Sequence, residues 1–152
     1  MELRDVTADN WQDVVRIEPR EDQGRFVASV AYYLNLCHYG GEWQPLALYQ
    51  DGEPVGFAMW GYDPEDDSYC IGGFIIDAEH QGKGHGRAAM EAMLDFLAAQ
   101  PGYREAALSY EAENTVARRL YASLGFVETG ELSEDGLVAR RPKDDTKTRR
   151  ST

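Results

Sequence analysis

The chain has no apolar run near the roughly 20 residues that cross a bilayer, so no membrane span is expected in it. Cysteine is nearly absent. Cys37 and Cys70 stand far apart, without a CxxC spacing or an accompanying His pair, which excludes a disulfide framework and offers no zinc or other metal site. Both are expected to be reduced, buried thiols. The opening MELRDVTADN lacks an apolar core behind a basic start, so no secretory signal is expected and the chain reads as cytoplasmic. Basic residues are scarce in most of it: residues 1–139 carry 9 of the 15 Lys and Arg but 25 of the 27 Asp and Glu. A body this acidic repels nucleic acid and raises the local concentration of small cations.

What remains is enough for one domain. A length of 152 residues suits a single core and leaves no room for two. The body is expected over residues 1–141. The basic stretch from 142 to 152 has no apolar residue after Pro142 and is expected to be a disordered tail.

LRDV alternates like a strand, and TADNWQDVVRI follows with cap residues and apolar Trp11, Val14 and Val15, which predicts a helix. Phe26, Val27, Val30, Leu34 and Cys37 share one helical face and predict a second helix over 23–38, ended by Gly40-Gly41. PLALYQ and PVGFAMWG are strands joined by a hairpin turn at Asp51-Gly52. SYCIGGFIID is another strand, and 84–99 a helix with Met90, Met93, Leu94 and Leu97 inward. EAALSY is a strand, ENTVARRLYASL a helix, and FVETG and GLVARR close the chain as strands. The order β-α-α-β-β-β-α-β-α-β-β predicts a mixed α/β (α+β) sandwich with helices covering a sheet.

The stretch FIIDAEHQGKGHGR runs from a strand through three closely spaced glycines into a helix. Free N–H groups and the helix dipole make such a turn an anion site suited to a pyrophosphate. GKGHGR lacks the hydroxyl of a P-loop, and Gly82, Gly84 and Gly86 do not meet GxGxxG. QGKGHG instead fits Q/R-x-x-G-x-G/A, and ENTVARRLYASLGFVETGE fits N-x-x-A-x-x-L-Y-x-x-x-G-F. On these two elements, in this order, the chain resembles the Gcn5-related N-acetyltransferases (GNAT) across roughly residues 2–141. EDQGRFVAS, PVGFAMWG and LYASLGFVETGE are similar to its bacterial spermine/spermidine (diamine) acetyltransferases.

The resemblance implies a mostly antiparallel central sheet with a splayed strand pair, acetyl-CoA as cosubstrate, no metal, and assembly as a homodimer. It places the oxyanion-binding N–H at Phe74 and the pantetheine contacts at Phe74, Ile75 and Ile76. The pyrophosphate loop becomes Gln81, Gly82, Lys83, Gly84, His85, Gly86 and Arg87, with His85 contributing its backbone N–H rather than acid–base chemistry. Asn114 matches a CoA contact, and Tyr121 the general acid for the departing thiolate, a role its usual pKa near 10 suits. Gly72-Gly73 are compatible with a bulge beside Phe74. They also stand where the animal polyamine enzymes carry a Glu and bacterial relatives an Arg, so the resemblance supplies no base.

The acceptor expected from the acidic body is a small cationic amine, polyamine or diamine. Glu21 and Asp22 are candidates to clamp a distal ammonium, with Tyr33, Trp43 and Tyr69 packing on its methylenes or making cation–π contacts. An aminoglycoside, a protein N-terminus or a lysine is the alternative acceptor, and a non-catalytic acyl-CoA sensor the alternative role. Cys70 has no neighbouring His or acid in sequence to activate it, which favours direct transfer over a covalent intermediate.

Overall fold

The structure is a computed structural model in which residues 1–143 are described. Its elements are β1 (Glu2–Asp5), α1 (Trp11–Val15), α2 (Val30–Gly40), β2 (Gln44–Gln50), β3 (Glu53–Asp63), β4 (Ser68–Ile76), α3 (His85–Ala98), β5 (Glu105–Tyr110), α4 (Thr115–Ser123), β6 (Val127–Ser133) and β7 (Gly136–Pro142). This is the predicted order. The strands form one seven-stranded sheet, ordered β1-β2-β3-β4-β5-β7-β6. Every neighbouring pair is antiparallel except β4 and β5.

Helices cover both faces. On one, α3 buries Met90, Met93, Leu94 and Leu97 with Leu108, Tyr110, Tyr121 and Phe126. Each such side chain removed from water contributes about 1.5–3 kcal/mol. On the other, Val14 from α1, Ile17 just beyond its end and Val30 from α2 pack on Ala47, Phe57, Met59 and Ile75.

The second helix starts later than its apolar spacing predicts. Ser29 caps it, its Oγ accepting from the Tyr32 N–H at 3.1 Å. Phe26, half-buried, and Val27, which packs on the α2-side core, therefore come from a loop, and Glu21–Gln23 form a separate 3-10 turn. At the other end β7 runs through Pro142, and the Lys143 N–H bonds the Arg104 carbonyl at 2.7 Å, just past the expected boundary of the body. The rest of the expected tail, 144–152, lies outside the described residues. No helix among the described residues is long and apolar enough to cross a membrane.

One pairing decides the chemistry. Strands β4 and β5 meet only at Tyr69↔Ala106 and Cys70↔Ala107, and beyond that point they diverge. From Ile71 onward no strand among the described residues pairs with β4 on the β5 side. The sheet is split down its middle.

Candidate active site

A cleft of about 1290 Å³ passes through the split. Strand register sorts its lining by face. Met59 pairs with Gly72 and Gly61 with Cys70, so Cys70 and Gly72 point toward α2. Ala107 and Ser109 pair with Arg140 and Val138 on that same face. Leu108, Tyr110 and Tyr121 belong to the opposite, α3 side.

At the edge of the split, β4 bulges. Gly72 pairs with Met59 but Ile75 with Phe57, so β4 carries one residue more than β3 over this interval. Gly73 takes the left-handed conformation, φ 58°, that a bulge glycine adopts. A Cβ there would sit 3.2 Å from the Tyr33 ring. The bulge lies beside Phe74, as the two glycines suggested, on the strand whose outer edge is open.

The glycine turn leads directly into α3. Gly84, φ 81°, is the N-cap of α3 and supplies no side-chain cap. None of the N–H groups of residues 82–87 has a backbone partner among the described residues. Those donors and the α3 dipole favour an anion. Lys83 and Arg87, however, do not line the cleft. Arg87 donates to Ser123 Oγ at 3.0 Å and lies 3.5 Å from Glu91. The Gln81 side chain braces the turn, donating to the Ile76 carbonyl at 2.8 Å and to Gln23 Oε1 at 2.7 Å.

Tyr121 is only 8% exposed and lines the cleft. Its ring packs on Tyr110 and Phe126, with centroids 5.5 and 5.9 Å away. Its hydroxyl has no partner among the described residues. Burial, with the Tyr110 phenol adding, raises its pKa well above the usual tyrosine value, so it stays protonated. The neighbouring Tyr110 is already committed, donating to Glu128 Oε2 at 2.8 Å, and burial followed by that bond pushes it up to about 12. Asn114 is the N-cap of α4, its Oδ1 accepting from the Ala117 N–H at 3.4 Å, and it also lines the cleft.

Phe74, Ile75, Ile76, Gln81, Gly82, Gly84, His85, Gly86, Asn114 and Tyr121 are thus brought to one cleft. Glu21 and Asp22 are not. They stand exposed on the 3-10 turn, with Asp22 3.7 Å from Arg20, because Gln23 is the residue that turn sends inward. The acidic lining comes instead from Asp63, Glu65 and Asp66 in the β3–β4 turn, from Glu111, and from Glu134 and Asp135 between β6 and β7. Asp135 lies close enough to Tyr33 to add to the rise that burial imposes on its phenol.

Tyr33 and Trp43 line the cleft as expected, Trp43 within 3.2 Å of a Cβ placed on Gly72. Tyr69 does not: it points to the α3 side and donates to the Pro101 carbonyl at 2.6 Å. Cys70 is half-buried rather than buried, on the cleft floor, and burial raises its thiol pKa. That disfavours the thiolate a nucleophile needs.

The residues fit acetyl-CoA. Unpaired N–H donors at the α3 start suit its pyrophosphate, the open β4 edge suits a pantetheine amide chain, and the Tyr121 hydroxyl is free for its sulfur.

Comparison with known proteins agrees. A family profile described as "Acetyltransferase (GNAT) family" matches residues 5–126. Spermine/spermidine N(1)-acetyltransferase of Bacillus subtilis strain 168 is 34% identical over 143 residues, 88% of this chain and 92% of that protein. Among solved structures, aminoglycoside acetyltransferase AAC(6')-Ib with coenzyme A aligns at TM-score 0.78 and 17% identity, over 97% of this chain and 98% of the other. Spermidine N-acetyltransferase from Vibrio cholerae, in complex with CoA and spermine, aligns at TM-score 0.69 and 20% identity, over 91% and 92%. At these identities the structural likenesses establish the fold.

Proposed function

The chain belongs to the acetyltransferase (GNAT) family of acetyl-CoA-dependent N-acetyltransferases, and we propose that its acceptor is a primary amine of a polyamine or diamine of the spermine/spermidine type. The observation that carries this reading is the charge of the α2-side lining. Asp63, Glu65, Glu111, Glu134 and Asp135 line it, while the Arg140 guanidinium there is engaged by Asp66, Glu105 and Glu131. Against these five exposed carboxylates the other cation of the lining is Arg25, so the net negative charge raises the local concentration of a multiply charged cation. Tyr33 and Trp43 add aromatic faces that suit methylenes and ammonium groups.

Acetyl-CoA supplies the thioester whose C–S bond breaks as the amine nitrogen forms its bond to the carbonyl carbon. The Phe74 N–H, on the free edge of the bulge, serves the oxygen on which negative charge develops. One such donor is typically worth about 10²–10³ in kcat. The Tyr121 hydroxyl donates to the departing sulfur, and the amine's proton leaves toward solvent on the α2 side. Cofactor from the α3 face and acceptor from the α2 face meet across the split, which suits direct transfer.

Residues 82, 84, 85 and 86 hold the pyrophosphate through their N–H groups, Ile75 and Ile76 the pantetheine arm, and Asn114 the CoA moiety beside Tyr121. Gln81 acts through its brace. Lys83 and Arg87 contribute only distant positive charge. One domain over 1–141, a cytoplasmic location and a homodimer complete the proposal, the last tested by light scattering.

The test is CoA release by the purified protein with spermine, spermidine, putrescine, an aminoglycoside and a lysine peptide. Saturable turnover on spermine or spermidine is the expected result. Turnover confined to the aminoglycoside or peptide moves the acceptor. Tight acetyl-CoA binding with no turnover on any of them makes the protein a sensor.

A further inference from the structure

We propose that the β3–β4 turn reads the length of the acceptor: Asp63 and Glu65 hold the far ammonium of an extended polyamine whose near amine lies at the Gly73–Phe74 bulge. This rests on the polyamine reading above and adds to it a chain-length preference, tetraamine over diamine.

The register supplies the geometry. Asp63 pairs with Ser68, Gly61 with Cys70 and Met59 with Gly72, so Asp63 stands in line with Cys70 and Gly72 on the α2 face. That line is a track floored by glycine, cysteine and, across the split, Ala107 and Ser109, and it is walled by the Trp43 ring against Gly72, the Tyr33 ring against Gly73 and the Arg140 side chain beside Ala107. At roughly 3.3 Å per residue, the strand from Ser68 to Gly73 covers about 16 Å. A tetraamine in extended form bridges such a span. A diamine held at the bulge ends well short of it.

The turn is held in place and left with charge to offer. Arg140 donates to Asp66 at 2.6 and 3.2 Å and to Glu105 at 2.8 Å, stitching the turn to β7 and β5. Asp66 is thereby neutralised. Asp63 Oδ1 accepts the turn N–H groups of Glu65 and Asp66 at 3.0 and 3.4 Å. Neither Asp63 nor Glu65 has a cationic partner among the described residues. The field of Asp63 reaches the track, since it and Asp66 add to the rise that burial imposes on the Cys70 thiol. The same cleft is independently marked as a ligand site from its α3 side by Tyr121, 8% exposed, whose hydroxyl has no partner among the described residues.

The experiment compares kcat and KM for spermine, spermidine and a short diamine in the full-length protein and in the double variant Asp63→Asn, Glu65→Gln. Both changes keep shape, and the amide oxygen at 63 can still accept the turn N–H groups. Removing two partly screened ion pairs is expected to raise the KM for spermine about tenfold, or about 1.4 kcal/mol. The kcat for spermine stays put, and the diamine KM moves by less than about twofold. Spermine KM should also rise more steeply with ionic strength in the unsubstituted protein than in the variant. An equal rise for all three amines, or none for spermine, overturns the length reading and leaves the polyamine assignment standing. Absence of turnover on every polyamine by the unsubstituted protein overturns both.

Discussion

Replacing Tyr121 by Phe separates chemistry from folding, because the structure gives the hydroxyl no work in the fold. The ring is 8% exposed and packs on Tyr110 and Phe126, contacts that phenylalanine keeps. No hydrogen bond within the described residues is lost. Stability should therefore change by less than about 1 kcal/mol, a melting shift within about 2–4 °C for a domain of this size. The kinetic effect should be large. A positioned proton donor is worth about 10²–10⁴ in rate, or about 2.7–5.4 kcal/mol at 1.36 per tenfold. Tyr110 cannot substitute, since its proton is given to Glu128 at 2.8 Å. The assay is steady-state CoA release with spermine, beside acetyl-CoA binding by calorimetry and a thermal melt. Loss should appear in kcat, with acetyl-CoA affinity within a fewfold. A kcat within about threefold of the parent would refute the donor role. A melting loss far beyond about 4 °C would instead mark the hydroxyl as structural.

Gly73→Ala should damage both fold and turnover. Alanine in the left-handed region costs about 1–2 kcal/mol, and its methyl would meet the Tyr33 ring at 3.2 Å, so denaturant unfolding should show at least that loss and kcat should fall with the re-aimed Phe74 N–H. Unchanged stability and kcat together would mean the bulge is not required. The buried phenols predict alkaline unfolding. Burial raises the pKa of Tyr121 and pushes Tyr110 up to about 12, while unfolded tyrosine ionises near 10. The unfolded chain thus releases protons first, and the stability these groups contribute, intact below pH 10, is lost as pH rises toward about 12. Thermal melts read beside tyrosinate absorbance should fall together in that window, and a flat melting temperature through it would refute the burial argument.

Much of the fold was legible because its signals are local. The Asp51-Gly52 turn, the inward face of α3 and the glycine turn at its start each depend on a short window of sequence. What failed was long-range. Phe26 and Val27 have helical spacing with Val30, yet Ser29 caps the helix, and from a loop Val27 packs on the core while Phe26 lines the cleft. Glu21 and Asp22 looked suited to a cation because they lie in the loop between the first two helices, but Gln23 is bonded inward to Gln81, which leaves both carboxylates outside. Apart from Glu111, the carboxylates that do line the cleft sit in DPEDD and SEDG, runs that read as turn formers. Only β7 inserted between β5 and β6, a tertiary choice, brings the second of these turns over the split. Tyr69, on β4, and Tyr33, on α2, likewise meet opposite faces of the sheet.

Gly72 and Gly73 carry a further consequence for the acceptor's proton. The Gly72 backbone faces Trp43 and Met59, and the Gly73 backbone faces Tyr33, so neither position puts an ionisable side chain beside Phe74. Cys70, the next ionisable group along that strand face, has its thiol pKa raised by burial and is no better as a base at neutral pH. His85 begins α3 beside the glycine turn, away from the acceptor face. An amine with a pKa near that of lysine, about 10.4, is neutral in only about one molecule per few thousand at pH 7, a cost of about 4–5 kcal/mol. With no base at the bulge among the described residues, the enzyme is expected to take the neutral fraction as the solution supplies it. The kcat/KM for spermidine should then rise close to tenfold per pH unit from pH 7 toward the amine pKa. Tyr121, held protonated by burial, imposes no falling limb over that range. A kcat/KM that is flat between pH 6 and 8 would overturn this, because a plateau there requires a protein group that deprotonates the bound ammonium. Asp135, whose charge is felt by Tyr33, would be the first carboxylate to replace.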